Sequence, residues 1–299
     1  MQAPIRKVGI YHHPELDAAR LFAGEIRDLL KERIDDVWVA SAWDPVASTR
    51  DLPGTDLLIT IGGDGTVLRA GRAVIPHPIR ILGVDMGRLA FLTEFSPEDL
   101  QAHLDDILAG EFTIDERTML EVTLDAFSSD TPTVLHGLND VTVGRTSLGR
   151  PVYINVRVDG DLIGVLRGDG VVVATATGST GYSLSAGGPI LEPTAKFLVL
   201  TPVAPHLAAA APLVLPPGCS IDLSVGGPGD VAVSIDGQGS HMMGADSHVI
   251  IRRSEHVARM VRYSRKPFFA QLGRRLAWLD ERRLKAVRLS DELGQQPDD

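Results

Sequence analysis

Three glycines, a carboxylate and a hydroxyl, Gly62-Gly63-Asp64-Gly65-Thr66, follow the apolar run Leu57 to Ile61 and precede a helix-like stretch from Val67 to Val74. That order predicts a buried strand, a tight turn at its carboxyl end, and a helix whose first turn faces whatever sits above the turn. Backbone N–H groups at such a place attract anions, and glycine lets the chain approach a phosphate closely. An aspartate among them repels phosphate, so it has a different task. Binding a cation and taking a proton from a hydroxyl are the two chemistries open to it. Asp-Gly is also ordinary turn chemistry, and the pentapeptide alone does not decide.

Three further stretches carry unusual chemistry. Leu138-Asn139-Asp140-Val141 sets an amide beside a carboxylate, suited to holding paired hydroxyls. Arg167-Gly168-Asp169-Gly170 leads into Thr175-Ala176-Thr177-Gly178-Ser179-Thr180-Gly181-Tyr182 and then Ser185-Ala186-Gly187-Gly188-Pro189. So many small and hydroxylic residues cannot fill a core, but a flat ligand can lie against their backbone with its edge read by hydroxyls and amides. Ser234-Ile235-Asp236-Gly237-Gln238 ends a strand-like run on an aspartate and a glycine, which a plain hairpin turn also explains.

The elements that must hold these residues fall into two sets. Val8 to Tyr11, Val37 to Ala40, Leu57 to Ile61 and Ile79 to Val84 are strand-like. A helical pattern spans Pro14 to Ile34, and another is capped by Ser96-Pro97-Glu98-Asp99 and ends near Gly110. Strands alternating with helices predict a parallel, doubly wound sheet. From Thr118 to Arg252 the pattern turns to short β runs, with Asp159-Gly160 as a two-residue hairpin signal and no convincing helix. Helical character returns from Pro267 to Arg288, and the residues from Asp291 on have the composition of a disordered tail. The fold class expected is therefore α/β: an N-terminal doubly wound α/β domain plus a β-rich C-terminal domain. The divisions expected are 1–117, 118–260 and 261–299, the last a helix returning to the first domain.

Composition removes several classes. A formal net charge of -10 argues against a general nucleic-acid binder. Cys219 is the lone cysteine, which excludes an internal disulfide and suits a cytoplasmic setting. No apolar run reaches membrane-spanning length and the first residues lack a signal-peptide pattern. The Gly-x-x-x-x-Gly-Lys-Ser/Thr loop, the Gly-x-Gly-x-x-Gly fingerprint, the Gly-x-Ser-x-Gly elbow and zinc-ligand spacings are all missing.

Taken together, Gly62-Gly63-Asp64-Gly65-Thr66, Gly83-Val84-Asp85-Met86-Gly87 with Phe91-Leu92-Thr93-Glu94, Asn139-Asp140, Asp169-Gly170-Val171 through Pro189, and Asp236-Gly237-Gln238 resemble the NAD kinase family in order and spacing. The likeness runs from about Lys7 to Trp278. It implies transfer of a phosphoryl group from ATP, or in some members polyphosphate, to the adenosine 2′-hydroxyl of NAD. It also implies a divalent metal such as Mg²⁺, with no ligand residue assigned, and a homodimer or homotetramer. By the same resemblance Asp64 is the base. Gly62, Gly63, Gly65 and Thr66 line phosphates, with Gly65 also near NAD. Asn139 and Asp140 hold the adenosine half, and Thr177, Ser179, Thr180 and Tyr182 surround adenine and ribose. Asp236 belongs to the NAD site, while Asp169 and Ala204 approach the nicotinamide half from a neighbouring subunit.

The chain departs from the family pattern at Asp85, Ala90, Ala176, Gly181 and the alanine-rich run from Leu207 to Ala211. Two other readings stay open on the sequence: a Gly-Gly-Asp-Gly kinase acting on a sugar phosphate or lipid, and a non-catalytic NAD-binding regulator.

Overall fold

The computed structural model describes residues 4–44, 50–87, 90–125, 131–147, 150–206, 210–227, 229–263 and 268–276. Strands β1 (Lys7–His12), β2 (Asp36–Ser41), β3 (Leu57–Gly62) and β4 (Arg80–Asp85) run parallel in the order β2-β1-β3-β4. All six residues of β3 are buried, the mark of a strand covered on both faces. Its side chains alternate: Leu57, Ile59 and Ile61 face one core, Leu58 the other. Helix α1 (Asp17–Lys31) buries Ala19, Phe22, Ala23, Ile26 and Leu30 on the first face. Helix α2 (Asp64–Ala73) covers the second with Val67, Leu68 and Ala70. Since α1 links β1 to β2 and α2 links β3 to β4, the winding reverses between β1 and β3. The crevice where open α/β sheets bind ligands therefore lies at His13 and Gly62.

Helix α2 begins at Asp64, three residues before the expected start, with Gly63 as its cap. The helix predicted from Ser96 to Gly110 is two, α3 (Pro97–Ala102) and α4 (Leu104–Leu108), because His103 leaves helical geometry at φ -115 and ψ 15. Its start is as expected: Ser96 Oγ accepts from the Asp99 N–H at 3.1 Å while the Asp99 carboxylate accepts from the Ser96 N–H.

The second half is a sandwich of two sheets. One is antiparallel, made of β12 (Leu213–Leu215), β11 (Leu198–Val203), β10 (Gly170–Ala174), β7 (Asp140–Arg145), β14 (Val231–Ile235) and β15 (Gln238–Met243) in that order. The other holds β5 (Thr113–Asp125), β6 (Thr133–Gly137), β8 (Val152–Val158), β9 (Asp161–Gly168), β13 (Ser220–Val225) and β16 (His248–Arg262). Val122, Val143, Val156, Val171, Ile221 and Val249 are among the side chains packed between them. A 3-10 turn (Gly178–Thr180) and a short helix, α5 (Tyr182–Ser185), interrupt a region where no convincing helix is expected.

The second sheet of the sandwich is continuous with the parallel sheet. Strand β16 lies parallel to β4, with Arg259 beside Arg80 and Met260 beside Ile81, and antiparallel to β5. Both expected boundaries, 117/118 and 260/261, thus fall inside long strands, β5 and β16. Helix α6 (Phe268–Arg275) is the described part of the C-terminal helical stretch; the remainder of that stretch and the expected tail lie outside the described residues. Among the described residues, no helix is long and apolar enough to cross a membrane.

Candidate active site

Asp64 occupies the first position of α2, and its carboxylate is clasped from outside the helix. Oδ2 accepts from the Phe91 N–H at 3.0 Å and Oδ1 from the Leu92 N–H at 2.9 Å. Gly83 makes that clasp possible. The stretch 92–95 folds back onto β4 so tightly that a Cβ at Gly83 would lie 2.9 Å from the Thr93 Cα, and the Glu94 N–H donates to the Gly83 carbonyl. Two N–H donors fix the carboxylate in place, and each oxygen retains a lone pair for a hydroxyl. Gly63 and Gly65 have open space where a Cβ would stand. Thr66 is buried, its hydroxyl unpartnered and set over Gly62, where a Cβ would meet it at 2.3 Å.

The register of the antiparallel sheet gathers the other candidates. Asp140 opens β7 opposite Ala174, the last residue of β10, and Val141 lies opposite Ile235, the last of β14. Asn139-Asp140, Thr175 to Thr180 and Asp236 therefore share one sheet edge. Gly178 approaches Asn139 so closely that a Cβ would lie 2.0 Å from its carbonyl oxygen. The Thr175 N–H donates to that oxygen at 2.8 Å, and the Thr175 hydroxyl donates to the Leu138 carbonyl at 2.7 Å. Asn139 Oδ1 is buried without a hydrogen-bond partner, a polar atom waiting for a donor.

Asp236 organises this corner. Its backbone sits at φ 53, and its carboxylate accepts from the N–H groups of Leu138 at 2.9 Å, Asn139 at 2.7 Å and Asp140 at 3.2 Å. Arg72 stands 4.0 Å away and donates to Gln238 Oε1, while Gly71 packs on Leu138. The helix that starts with Asp64 thus ends against the Asn139-Asp140 corner. Burial raises the carboxyls of both Asp140 and Asp236, but at Asp236 the three N–H donors and Arg72 oppose the rise. Asp140 is pushed up to about 7 by burial and then by the charge of Asp236.

That rise has a measurable consequence. A carboxyl raised above its unfolded value binds its proton more tightly when folded, so its contribution to stability falls from about pH 4 to about pH 7 and stays low above. Asp140→Asn is expected to be more stable than the parent at pH 8, by up to a few kcal/mol, and to flatten the slope between pH 5 and pH 8. Denaturant titrations at both pH values test this. An unchanged slope in the variant would show that Asp140 does not titrate in this range.

The remaining candidates divide. Thr177 is buried, with its hydroxyl receiving a long 3.4 Å bond from Arg117, and Ser179 is buried with its hydroxyl engaged by the Ala176 carbonyl and the Leu191 N–H. Thr180 donates to the Thr177 carbonyl, and Tyr182 is 45% exposed at the head of α5. Asp169 and Ala204 lie at the opposite end of β10, about 20 Å from Thr175 at ~3.3 Å per residue. There Asp169 pairs with Arg145 at 3.0 Å, and Ala204 adopts φ 43. One chain therefore does not bring Asp169 and Ala204 to the Asn139 corner.

Sequence reasoning missed the Phe91 and Leu92 N–H groups, Arg72 and Arg117. Arg117 is buried, pushed down to about 10 by burial and by Arg262, and it ties β5 to Thr177. The only signal for it was a lone arginine just before an alternating apolar run.

Comparison with known proteins adds a second line. Residues 17–112 match the family model of the ATP-NAD kinase N-terminal domain, and residues 138–263 that of the ATP-NAD kinase C-terminal domain. The chain is 36% identical over 264 residues to an NAD kinase of Dehalococcoides mccartyi, covering 88% of this chain and 93% of that protein. It is 41% identical over 233 residues to one of Gemmatimonas aurantiaca, covering 77% and 80%. A solved NAD kinase from Archaeoglobus fulgidus in complex with ATP superposes with a TM-score of 0.73 at 25% identity, covering 91% of this chain and 98% of that one. Yeast NADH kinase complexed with NADH has the same fold, with a TM-score of 0.84 at 22% identity and coverage of 93% and 89%.

Proposed function

The chain belongs to the ATP-NAD kinase family, and from that premise we propose that it transfers the terminal phosphoryl group of ATP to the adenosine 2′-hydroxyl of NAD, giving NADP. The observation that carries the mechanism is the clasped carboxylate of Asp64 at the sheet's switch point. Phosphoryl transfer asks little covalent help of a protein: the two oxygens held in line, charge neutralised, and one group to receive the hydroxyl proton. In this reading Asp64 receives that proton. Gly63 and Gly65, open where a Cβ would stand, let the donor's phosphates approach the backbone. Asn139 and Asp140 hold the ribose and adenine, Asn139 Oδ1 accepting from the ligand, and Thr177, Ser179, Thr180 and Tyr182 shape the adenine wall. Asp236 acts on NAD through the three N–H groups it holds.

A divalent ion such as Mg²⁺ fits the turn in one way. Among the described residues no group of three or more His, Cys, Asp or Glu forms a cage, and Asp64 and Asp85 are the carboxylates at the end of β3 and β4. That donor set suits an ion carried mainly by phosphate oxygens and water, with at most one or two carboxylates. When bound, it neutralises charge on the transferred group.

The distance of Asp169 and Ala204 from the corner supports the further reading that they serve a neighbouring copy, so the active form is a dimer or tetramer, in the cytoplasm. One experiment tests both levels. NADP formation from ATP, Mg²⁺ and NAD, with the new phosphate located by NMR, should show the adenosine 2′-oxygen as sole acceptor. A sugar phosphate or diacylglycerol should remain unlabelled. Dilution until sedimentation shows monomers should abolish turnover, and full activity in a verified monomer would refute the shared site alone.

A further inference from the structure

The loop that clasps Asp64 is anchored at its far end. Just past Leu92, the Glu94 N–H donates to the Gly83 carbonyl at 2.9 Å, and the Glu94 side chain reaches across to β16, where Oε2 accepts from Arg262 Nη1 at 3.0 Å. Arg262 Nε donates in turn to Asp115 Oδ2 on β5, also at 3.0 Å. The same oxygen accepts from Arg117 Nη2 at 3.1 Å, and Arg117 Nη1 donates to the Thr177 hydroxyl at 3.4 Å. Carboxylate and guanidinium thus alternate along a path from the loop holding Asp64 to Thr177.

Such a path can carry position. The side chains of Glu94, Arg262 and Arg117 are only 9%, 15% and 5% exposed. An ion pair in water parts at little cost, but a buried one that parts leaves a charge unpaired in a poorly polarisable medium. Each member therefore holds its neighbours to a narrow range of distance. Arg262 does so with one planar group facing two carboxylates from different segments, which the single point charge of a lysine could not span. Arg117 repeats the device between Asp115 and Thr177, yet its Nε is buried without a hydrogen-bond partner. A buried arginine with an idle donor is a poor source of stability, so its placement is better explained by what it holds. Arg259 and Glu116 lie opposite each other on the same two strands and pair at 3.5 Å, outside this path.

We infer that Glu94, Arg262, Asp115 and Arg117 are positioning residues that set the separation between the Asp64 carboxylate and the acceptor hydroxyl, by fixing the clasping loop and the adenine wall to one another. The inference rests on the reading of Thr177 as part of the NAD site. All four residues act through the clasp or through Thr177, not on the reacting atoms.

Steady-state kinetics with NAD and ATP, run well below the melting temperature of every variant, test it. Glu94→Gln loosens the Asp64 end and should lower kcat about tenfold or more while the KM for NAD changes little. Arg117→Lys loosens the Thr177 end and should raise the KM for NAD about tenfold with a smaller change in kcat. Asp115, in the middle and 34% exposed, offers the variant least at risk of misfolding, and Asp115→Asn should do both. In the Asp115→Asn background, Glu94→Gln should then cost little more, because the path is already cut. Arg259→Gln removes an ion pair between the same strands and should move neither constant. An enzyme that makes NADP but in which Glu94→Gln and Asp115→Asn lower kcat by independent factors would overturn this inference and leave the kinase reading intact. So would an Arg259→Gln variant that loses as much as Glu94→Gln, since the cause would then be a general loosening of the seam.

Discussion

Asp64→Asn should lower turnover with NAD by on the order of 10²–10⁴ while leaving the affinity for NAD close to that of the parent. The amide keeps the shape of the side chain and removes the proton acceptor. The clasp adds a second expectation. Phe91 and Leu92 each point an N–H at one carboxylate oxygen, and an amide offers an oxygen to only one of them. The other N–H then faces an NH₂ group, at a cost of ~1–3 kcal/mol if nothing else relaxes. The variant should therefore melt a few degrees lower as well as lose activity. Single-turnover kinetics beside thermal melts separate the two effects. Near wild-type turnover would remove Asp64 from the proton transfer, and a wild type inert towards NAD would favour a regulator.

Gly178→Ala is expected to have the other large effect, although it adds one methyl group. The new Cβ would lie 2.0 Å from the Asn139 oxygen, 2.4 Å from its carbonyl carbon and 2.7 Å from its Cα. All three are backbone atoms, so no side chain can swing aside. The strain of such overpacking is ~1–3 kcal/mol or more, and it must move the Asn139-Asp140 corner. A displacement of ~1 Å at a positioning group can cost a factor of about 10². The KM for NAD should therefore rise at least tenfold while the KM for ATP changes little. Gly65→Ala is the contrast: it meets open space on the first turn of α2, so the fold should hold and any loss should fall on transfer. A Gly178→Ala enzyme with the parent's KM for NAD would mean that the corner does not contact the dinucleotide.

What the sequence disclosed was local. Strand β3 was legible because Leu57 to Ile61, four aliphatic residues around one threonine, have few other fates, and the β8–β9 hairpin because Asp159-Gly160 suits a turn of positive φ, which both residues adopt at 52 and 91. The pentapeptide Gly62 to Thr66 was legible as a site but not as a helix start. Gly-Asp-Gly has poor helix propensity, and what holds Asp64 in the first turn is a pair of N–H groups more than two dozen residues ahead. Asp236 was legible as a candidate, yet its three bonds reach back to Leu138, Asn139 and Asp140, and no spacing rule announces them. The merging of two sheets was hidden for the same reason. Only Val249 to Arg252 of β16 reads as a strand, and the polar run from Arg252 to His256 separates it from the part beside β4.

That seam also governs how the molecule can be made. While the chain leaves the ribosome, β4 waits with one edge bare along Arg80 and Ile81 until Arg259 and Met260 have been synthesised. Contacts this distant along the chain are slow to form, and an unpaired strand edge invites pairing with another nascent copy. Folding should thus finish in one late step that closes both halves together. A fragment ending before His248 would be left with the open edge permanently, and its fate is aggregation rather than a stable smaller enzyme.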